Sequence, residues 1–376
     1  MTPLLGGQRL LAAGEVQPSL LDLPNVALVS QGRAAIALAL ECHSIGSGDD
    51  VLLPAFNCPA MTAAVRAARA NPVFFPVQED LQIRPEDVLA AATKSTKAVL
   101  IPHFFAWRQP RKLFERLKAE TSWLVIEDCA HAFFGAPDDD PMGSLGHVGI
   151  GSIAKFFPSR WGGVLASADR QLSVRLDPST AFVQLKLLAN STEASADFGR
   201  FGLASRPIGV TMRAISAVRR AFASADVEVE EAGESRSRAE AFGDVDLGRL
   251  HEEAGWWPAH MLRDKRTFGS RASQRLQIFA RLSTELQDLR HGRQLLEKGS
   301  PDFPPYVLPL ILDDPETQFS RLREAAVPMY RWEYSAKDIC PVTDRYRWSL
   351  IQLPCHDSLS NEQMDSIVRE VCRVLA

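Results

Sequence analysis

Val148-Gly149-Ile150-Gly151-Ser152-Ile153-Ala154-Lys155 is an apolar, strand-like run that closes on a serine and, three residues later, a lysine. Upstream of it a second run, Trp123-Leu124-Val125-Ile126-Glu127-Asp128, ends in carboxylates, with His131 just beyond. Both runs are continuously apolar rather than alternating, the pattern of strands buried on both faces. The same pattern recurs in Val26–Val29, Val51–Leu53, Val73–Val77, Ala98–Pro102 and Gly163–Ala166. Segments with 3.6-residue periodicity separate the first five strands: Ala34–Glu41, Ala60–Ala70, Pro85–Ala92 and Arg111–Ala119. Strands joined by helical crossovers predict an α/β fold with a mainly parallel sheet of about seven strands. Gly46-Ser47-Gly48-Asp49-Asp50 before the second strand and Asn71-Pro72 before the third supply the turns.

The 376 residues suffice for a large core and two domains. A hydrophobic content of 46% and a charged content of 23% are ordinary for a globular protein, and a net charge of −4 argues against a nucleic-acid partner. No apolar run approaches the roughly 20 residues of a membrane span. The N-terminus has no charged leader followed by a long apolar core, so no signal peptide is expected and the predicted location is cytoplasmic. The cysteines (42, 58, 129, 340, 355 and 372) are scattered singly, which predicts reduced thiols and no metal site.

Residues 1–245 read as the large domain. Its stretch 170–245 is rich in Ala, Ser, Arg and Glu and reads as helical, with a mobile part near 224–240. Residues 246–376 read as a small α/β domain. There a helical pattern at Asp244–Leu286 precedes strands at Val307–Leu312, Ala326–Met329 and Ser349–Leu353 and a final helix at Asn361–Leu375.

Ligands of open α/β sheets bind beyond the carboxyl ends of the strands. Gly32, Asn57, His103, Asp128 and Ser152 all lie at or just past such ends. Gly32 opens a helix, a place for a phosphate or simply a turn glycine. Asp128, ending the most apolar strand, needs a cation or several hydrogen bonds. A pyridinium N–H, an arginine or a metal would each serve. Lys155 sits among Ile153, Ala154, Phe156 and Phe157, whereas Lys94, Lys97, Lys112, Lys118, Lys265 and Lys298 have polar surroundings. Burial would favour its neutral amine, the form that attacks a carbonyl. A lysine able to form a Schiff base, a carboxylate to hold a pyridinium proton and a serine for phosphate are what pyridoxal 5'-phosphate asks of a protein.

Five ordered segments extend that reading: Gly32-Arg33-Ala34-Ala35; Gly48-Asp-Asp-Val-Leu-Leu-Pro-Ala-Phe56; Thr96-Lys-Ala-Val-Leu-Ile-Pro-His103; Ile126-Glu-Asp-Cys-Ala-His131; and Gly143-Ser-Leu-Gly-His-Val-Gly149. With the tail Leu353-Pro-Cys-His356-Asp-Ser-Leu-Ser360, they resemble the DegT/StrS family of pyridoxal-phosphate-dependent sugar aminotransferases, enzymes of fold type I. The resemblance covers about 25–167 well and 305–376 moderately. It implies that Lys155 bonds the cofactor and shuttles the proton, Asp128 binds the pyridinium nitrogen and His131 the ring hydroxyl. Ser152 and the backbone at Gly32-Arg33-Ala34 would hold the phosphate. It also implies an amino-acid donor, L-glutamate, a keto-sugar acceptor carried on a nucleotide, and a homodimer.

Three departures stand out. Many members place their serine five residues before the lysine, whereas here the spacing is three, and a shifted alignment would put Arg160 on the lysine position. Cys58 occupies the position of an aromatic that stacks on the ring. The Asn-x-Arg segment by which a neighbouring subunit often reaches the phosphate is not recognisable. Other pyridoxal phosphate chemistry on a non-sugar substrate, or a non-catalytic protein that kept the fold, are the rival readings. In the small domain, Arg331 and His356 are candidates to bind substrate.

Overall fold

The seven apolar runs share one sheet. In the computed structural model they are β1 (Asn25–Val29), β2 (Asp50–Pro54), β3 (Asn71–Phe75), β4 (Thr96–Pro102), β5 (Leu124–Asp128), β6 (Val148–Ser152) and β7 (Gly163–Ser167). Their spatial order is β1-β7-β6-β5-β4-β2-β3. Only β7 runs against its neighbours, β1 and β6; the remaining pairs are parallel. The structure describes residues 17–136, 140–159, 161–169, 171–197, 207, 211, 249–296, 301–332 and 335–376.

The crossover helices are α1 (Gly32–Cys42), α2 (Pro59–Ala67), α3 (Pro85–Ala90) and α4 (Arg111–Glu120), followed by α5 (Ala181–Asp197). The four crossover helices lie where the 3.6-residue pattern predicts them, and α5 falls in the stretch read as helical. Residues Ala34–Leu40 of α1 are all buried, because α1 is enclosed by the sheet, by α2 and by the stretch around Leu250. α4 is more exposed and buries only one stripe, Leu113, Phe114 and Leu117, as its amphipathic sequence requires.

The C-terminal part builds a second sheet. Its elements are α6 (Trp256–Arg263), α7 (Arg266–Glu285), β8 (Gly292–Gln294), β9 (Val307–Leu312), α8 (Pro315–Glu324), β10 (Tyr330–Arg331), α9 (Pro341–Ser349), β11 (Leu350–Pro354) and α10 (Asn361–Leu375). The strands pair antiparallel in the order β10-β11-β9-β8. Met364, Ile367, Val371 and Leu375, spaced three and four apart on α10, pack with Ile278, Phe279 and Leu282 of α7 against β9 and β11.

One predicted strand is displaced. Ala326–Met329 is a turn, and pairing begins only at Tyr330. Ala326 takes a left-handed backbone (φ 56°), and the Val327 N–H bonds back to Leu322 O, so those residues close α8 instead. The stretch 224–240 and the boundary drawn at 245/246 lie outside the described residues. From Leu250 onward the chain still packs on the first sheet: Glu252 O accepts from Ser30 N, and Leu28 O from Ala254 N. Phe268 joins Phe133, Phe134, Phe156 and Phe157 in one cluster. Among the described residues no helix is long and apolar enough to cross a membrane, and the six cysteines are free thiols.

Candidate active site

A cavity of about 450 Å³ opens where β5 and β6 end and α1 begins. It is lined by Gly32, Arg33, Cys58, Asp128, His131, Ser152 and Lys155 from the first sheet's edge, and by Tyr306, Tyr330, Trp332 and Gln352 from the second. The strand-end rule therefore gathers most of the sequence-predicted residues in one place. Asn57 and His103 are spent on structure. The Asn57 amide donates to Pro54 O and Ala55 O, and His103 Nε2 donates to Glu127 at 3.0 Å.

Glu127 explains the floor of the site. Its carboxylate also accepts from the N–H groups of Gly143, Leu145 and Gly146. Burial pushes its pKa up, but His103 and those N–H groups outweigh burial and hold it below the usual range. His103, Glu127 and Cys129 are close enough to hold a metal ion. That cluster is already satisfied: Gln109 N donates to His103 Nδ1, which leaves the Nε2 proton for Glu127. It locks the 143–146 loop beneath β5.

Asp128 is different. It is buried, one oxygen accepts from Ala130 N at 2.8 Å, and no other donor reaches it among the described residues. Burial pushes its carboxyl pKa up against the pull of the Lys155 ammonium. Lys155 ends a short 3-10 turn after β6, with its Nζ 5.3 Å from the centre of the Tyr306 ring. Burial lowers the Lys155 pKa, partly offset by Cys58 and Asp128. A buried carboxylate short of donors thus faces a lysine driven towards its neutral form.

His131 Nδ1 accepts from Phe105 N, so the ring proton sits on Nε2. Burial holds its pKa well below the ordinary value, and Phe105, Tyr306 and Trp332 flank the ring at centroid distances of 5.4, 5.0 and 5.4 Å. It is a neutral imidazole with one N–H to offer.

The start of α1 is a cradle. Gln31, its N-cap, makes no side-chain capping bond. A Cβ on Gly32 would stand 3.4 Å from Gly151 O and 3.6 Å from Ser152 Cβ, so the helix start and Ser152 lie side by side. Gly162 (φ 114°) turns the chain so that Gly163 crosses directly over the Gln31–Gly32 peptide. A Cβ on Gly163 would come within 2.6 Å of Gly32 N. Gly163→Ala is therefore expected to cost about 3 kcal/mol of stability by overpacking, read as a lowered midpoint of thermal unfolding. An unchanged midpoint would mean that β7 does not approach α1 this closely.

Residues 19–177 match the model of the DegT/DnrJ/EryC1/StrS aminotransferase family. The L-glutamine:2-deoxy-scyllo-inosose aminotransferase of Streptomyces kanamyceticus is 33% identical over 151 residues, 39% of this chain and 35% of that protein. GDP-perosamine synthase of Vibrio cholerae is 32% identical over 39% of this chain and 41% of its own. These matches span well under half the length of the curated relatives. The structure of NtdA from Bacillus subtilis with bound cofactor PMP superposes with a TM-score of 0.60 at 16% identity, over 93% of this chain and 73% of that one. The overall fold is that of the fold-type-I aminotransferases, a large mostly parallel sheet with a smaller C-terminal unit.

Against the family pattern, Cys58 lines the cavity from the N-cap of α2, where a thiol offers no ring face. The aromatic faces come from Tyr306 and Trp332 instead. Arg331 turns away from the cavity. Its guanidinium lies between Phe319 (3.6 Å) and Trp348 (5.1 Å), because residues 330 and 332 take the cavity face of β10 and the pleat sends 331 to the other side. His356, just past β11, does not line the cavity either. Arg160 lies outside the described residues. Sequence reasoning missed Trp161, Tyr306, Tyr330, Trp332 and Gln352. The one signal was the Tyr330-Arg-Trp332 triplet, whose aromatics line the cavity and whose arginine does not.

Proposed function

We propose that this chain is a pyridoxal-phosphate-dependent aminotransferase that moves an amino group from an L-amino acid to the keto group of a polyhydroxylated ring, a keto sugar. One observation carries the reading: Lys155, Asp128 and His131 converge in a single cavity that closes on the uncapped start of α1. The residues fit the cofactor. The open acceptor on Asp128 suits a pyridinium N–H, the His131 Nε2–H a phenolic oxygen, and the Gly32–Ala34 N–H groups with Ser152 a phosphate. When bound, pyridoxal phosphate supplies a carbonyl for covalent attachment and a ring that stores an electron pair.

The chain's own groups do the rest. Lys155 Nζ, whose pKa burial lowers, would hold the cofactor through its carbonyl and would carry a proton between carbons. Asp128 would keep the ring nitrogen protonated. Tyr306 and Trp332 keep water from one side of the site, which strengthens its electrostatics. The donor expected from sequence is L-glutamate, and the Streptomyces relative is named for L-glutamine. The acceptor follows the relatives named for an inosose and for perosamine.

The test is a matrix of L-glutamate and L-glutamine against keto-cyclitols and nucleotide-linked keto sugars, with the purified protein and pyridoxal phosphate. Amine appearing on an acceptor is the expected result. No transfer, with no visible-light absorbance from bound cofactor, would favour a non-catalytic protein. Bound cofactor with amine transfer only to non-sugar ketones would redirect the reading to other chemistry. A homodimer completes the proposal, since symmetric pairs dominate soluble oligomers. Sedimentation should give twice the 41.5 kDa chain mass; an active monomer at micromolar concentration would count against it.

A further inference from the structure

The geometry points to Arg275 as a positioning residue that fixes the Lys155 turn and Tyr306 together. The inference rests on the reading of Lys155 given above. Arg275 rises from the middle of α7 and is fully buried. One end of its guanidinium, Nη2, donates to Lys155 O at 3.1 Å and to Phe156 O at 3.2 Å. The other end, Nη1, donates to Pro305 O at 3.1 Å. Its plane lies 4.7 Å over the Phe156 ring.

Three backbone carbonyls are thereby tied to one rigid fork, two on the lysine turn and one on the residue before Tyr306. Tyr306 is the ring that Lys155 Nζ faces. The lysine and its aromatic wall come from opposite sheets, and Arg275 sets the distance between them. Within the turn at 153–157 the backbone bonds are Phe156 N and Phe157 N to Ile153 O and Ile153 N to Gly162 O, and the Phe156 ring meets Tyr306 at 6.3 Å, so the guanidinium adds the polar tie between the two. A buried guanidinium also needs a counter-charge, and Asp357 supplies it. Asp357 Oδ1 stands 3.8 Å from Arg275, and Arg271 holds the other carboxylate oxygen. Asp357 follows β11, so the small sheet is part of the same clamp. Arg271 touches Asp357 and the Phe157 ring but makes no bond to the Lys155 backbone.

The test is independent of cofactor. Trace reductive methylation with formaldehyde and cyanoborohydride, followed by peptide mass analysis, reads the reactivity of Lys155 against pH in the full chain. In Arg275→Lys, which keeps a buried cation beside Asp357 but can serve only part of the carbonyl set, the Lys155 profile should move to higher pH. Labelling near neutrality should fall about tenfold, which is one pH unit. Arg271→Met is the control. It should lower the unfolding midpoint and leave the Lys155 profile in place.

A folded Arg275→Lys with the wild-type profile overturns the inference, and so does an Arg271→Met that shifts the profile equally. Were Arg275→Lys not to fold, Arg275→Gln, which keeps an N–H donor for the turn, would be read in the same way. Treatment of wild type with pyridoxal phosphate and borohydride tests the underlying reading separately. Failure to label Lys155 there sinks the functional proposal and leaves the methylation result standing.

Discussion

Lys155→Ala should abolish covalent attachment of pyridoxal phosphate and slow amine transfer at least about a thousandfold. General acid–base catalysis alone contributes roughly 10²–10⁴, and this side chain is the only lysine lining the cavity among the described residues. Borohydride reduction of cofactor-saturated wild type should place the label on the peptide holding Lys155, and the variant should take none. Label on another lysine, or transfer at the wild-type rate by Lys155→Ala, would remove Lys155 from the mechanism.

The pH dependence has a definite sign. Burial puts the folded pKa of Lys155 below its unfolded value. Between those two values the unfolded chain binds the extra proton, so this group adds stability as pH rises. The apo wild type should therefore gain on Lys155→Ala through the alkaline range up to the ordinary lysine pKa. A stability difference that stays flat with pH would mean that Lys155 is solvated like any surface lysine.

Much of this site was legible in the sequence because it sits at strand ends. A continuous apolar run predicts a buried strand, and the residue that ends it falls at the sheet's edge wherever the chain goes next. Asp128, Ser152 and Gly32 needed nothing more than that. The aromatic wall was not legible. Tyr306, Trp332 and Gln352 reach the cavity only because the second sheet docks against the first, and no local period encodes that docking. Arg331 shows the same limit from the other side. In sequence it is an arginine beside two aromatics, and only the pleat of β10 shows that its neighbours face the site while it stacks outward on Phe319 and Trp348. Arg275 reads as one more charged residue on an amphipathic helix until Lys155 O, Phe156 O and Pro305 O are found around it.

Asp128→Asn should cost turnover on the order of a thousandfold while leaving the apo protein at least as stable as wild type. The catalytic half follows from charge. Asparagine keeps the size and an acceptor, but not the negative charge that holds a proton on the ring nitrogen. Without that proton the ring is a poor electron store, and the step that removes the substrate's α-proton suffers most. Losing one buried charge partner is felt at about 3–5 kcal/mol, and about 1.4 kcal/mol is tenfold in rate. The stability half follows from burial, which raises the Asp128 pKa above its unfolded value in the apo protein. Between those two values the folded chain binds the extra proton, so stability falls as pH rises through that window. Asparagine removes this penalty, and the variant should equal or exceed wild type near neutrality, with the advantage gone once pH drops below the ordinary aspartate pKa. A structural ion pair predicts the reverse: a variant that unfolds early yet turns over normally per folded molecule. Measuring the half-reaction with L-glutamate and the apo unfolding midpoint on the same preparation separates the two. Transfer at the wild-type rate by Asp128→Asn would remove the carboxylate from the chemistry whatever its melting temperature.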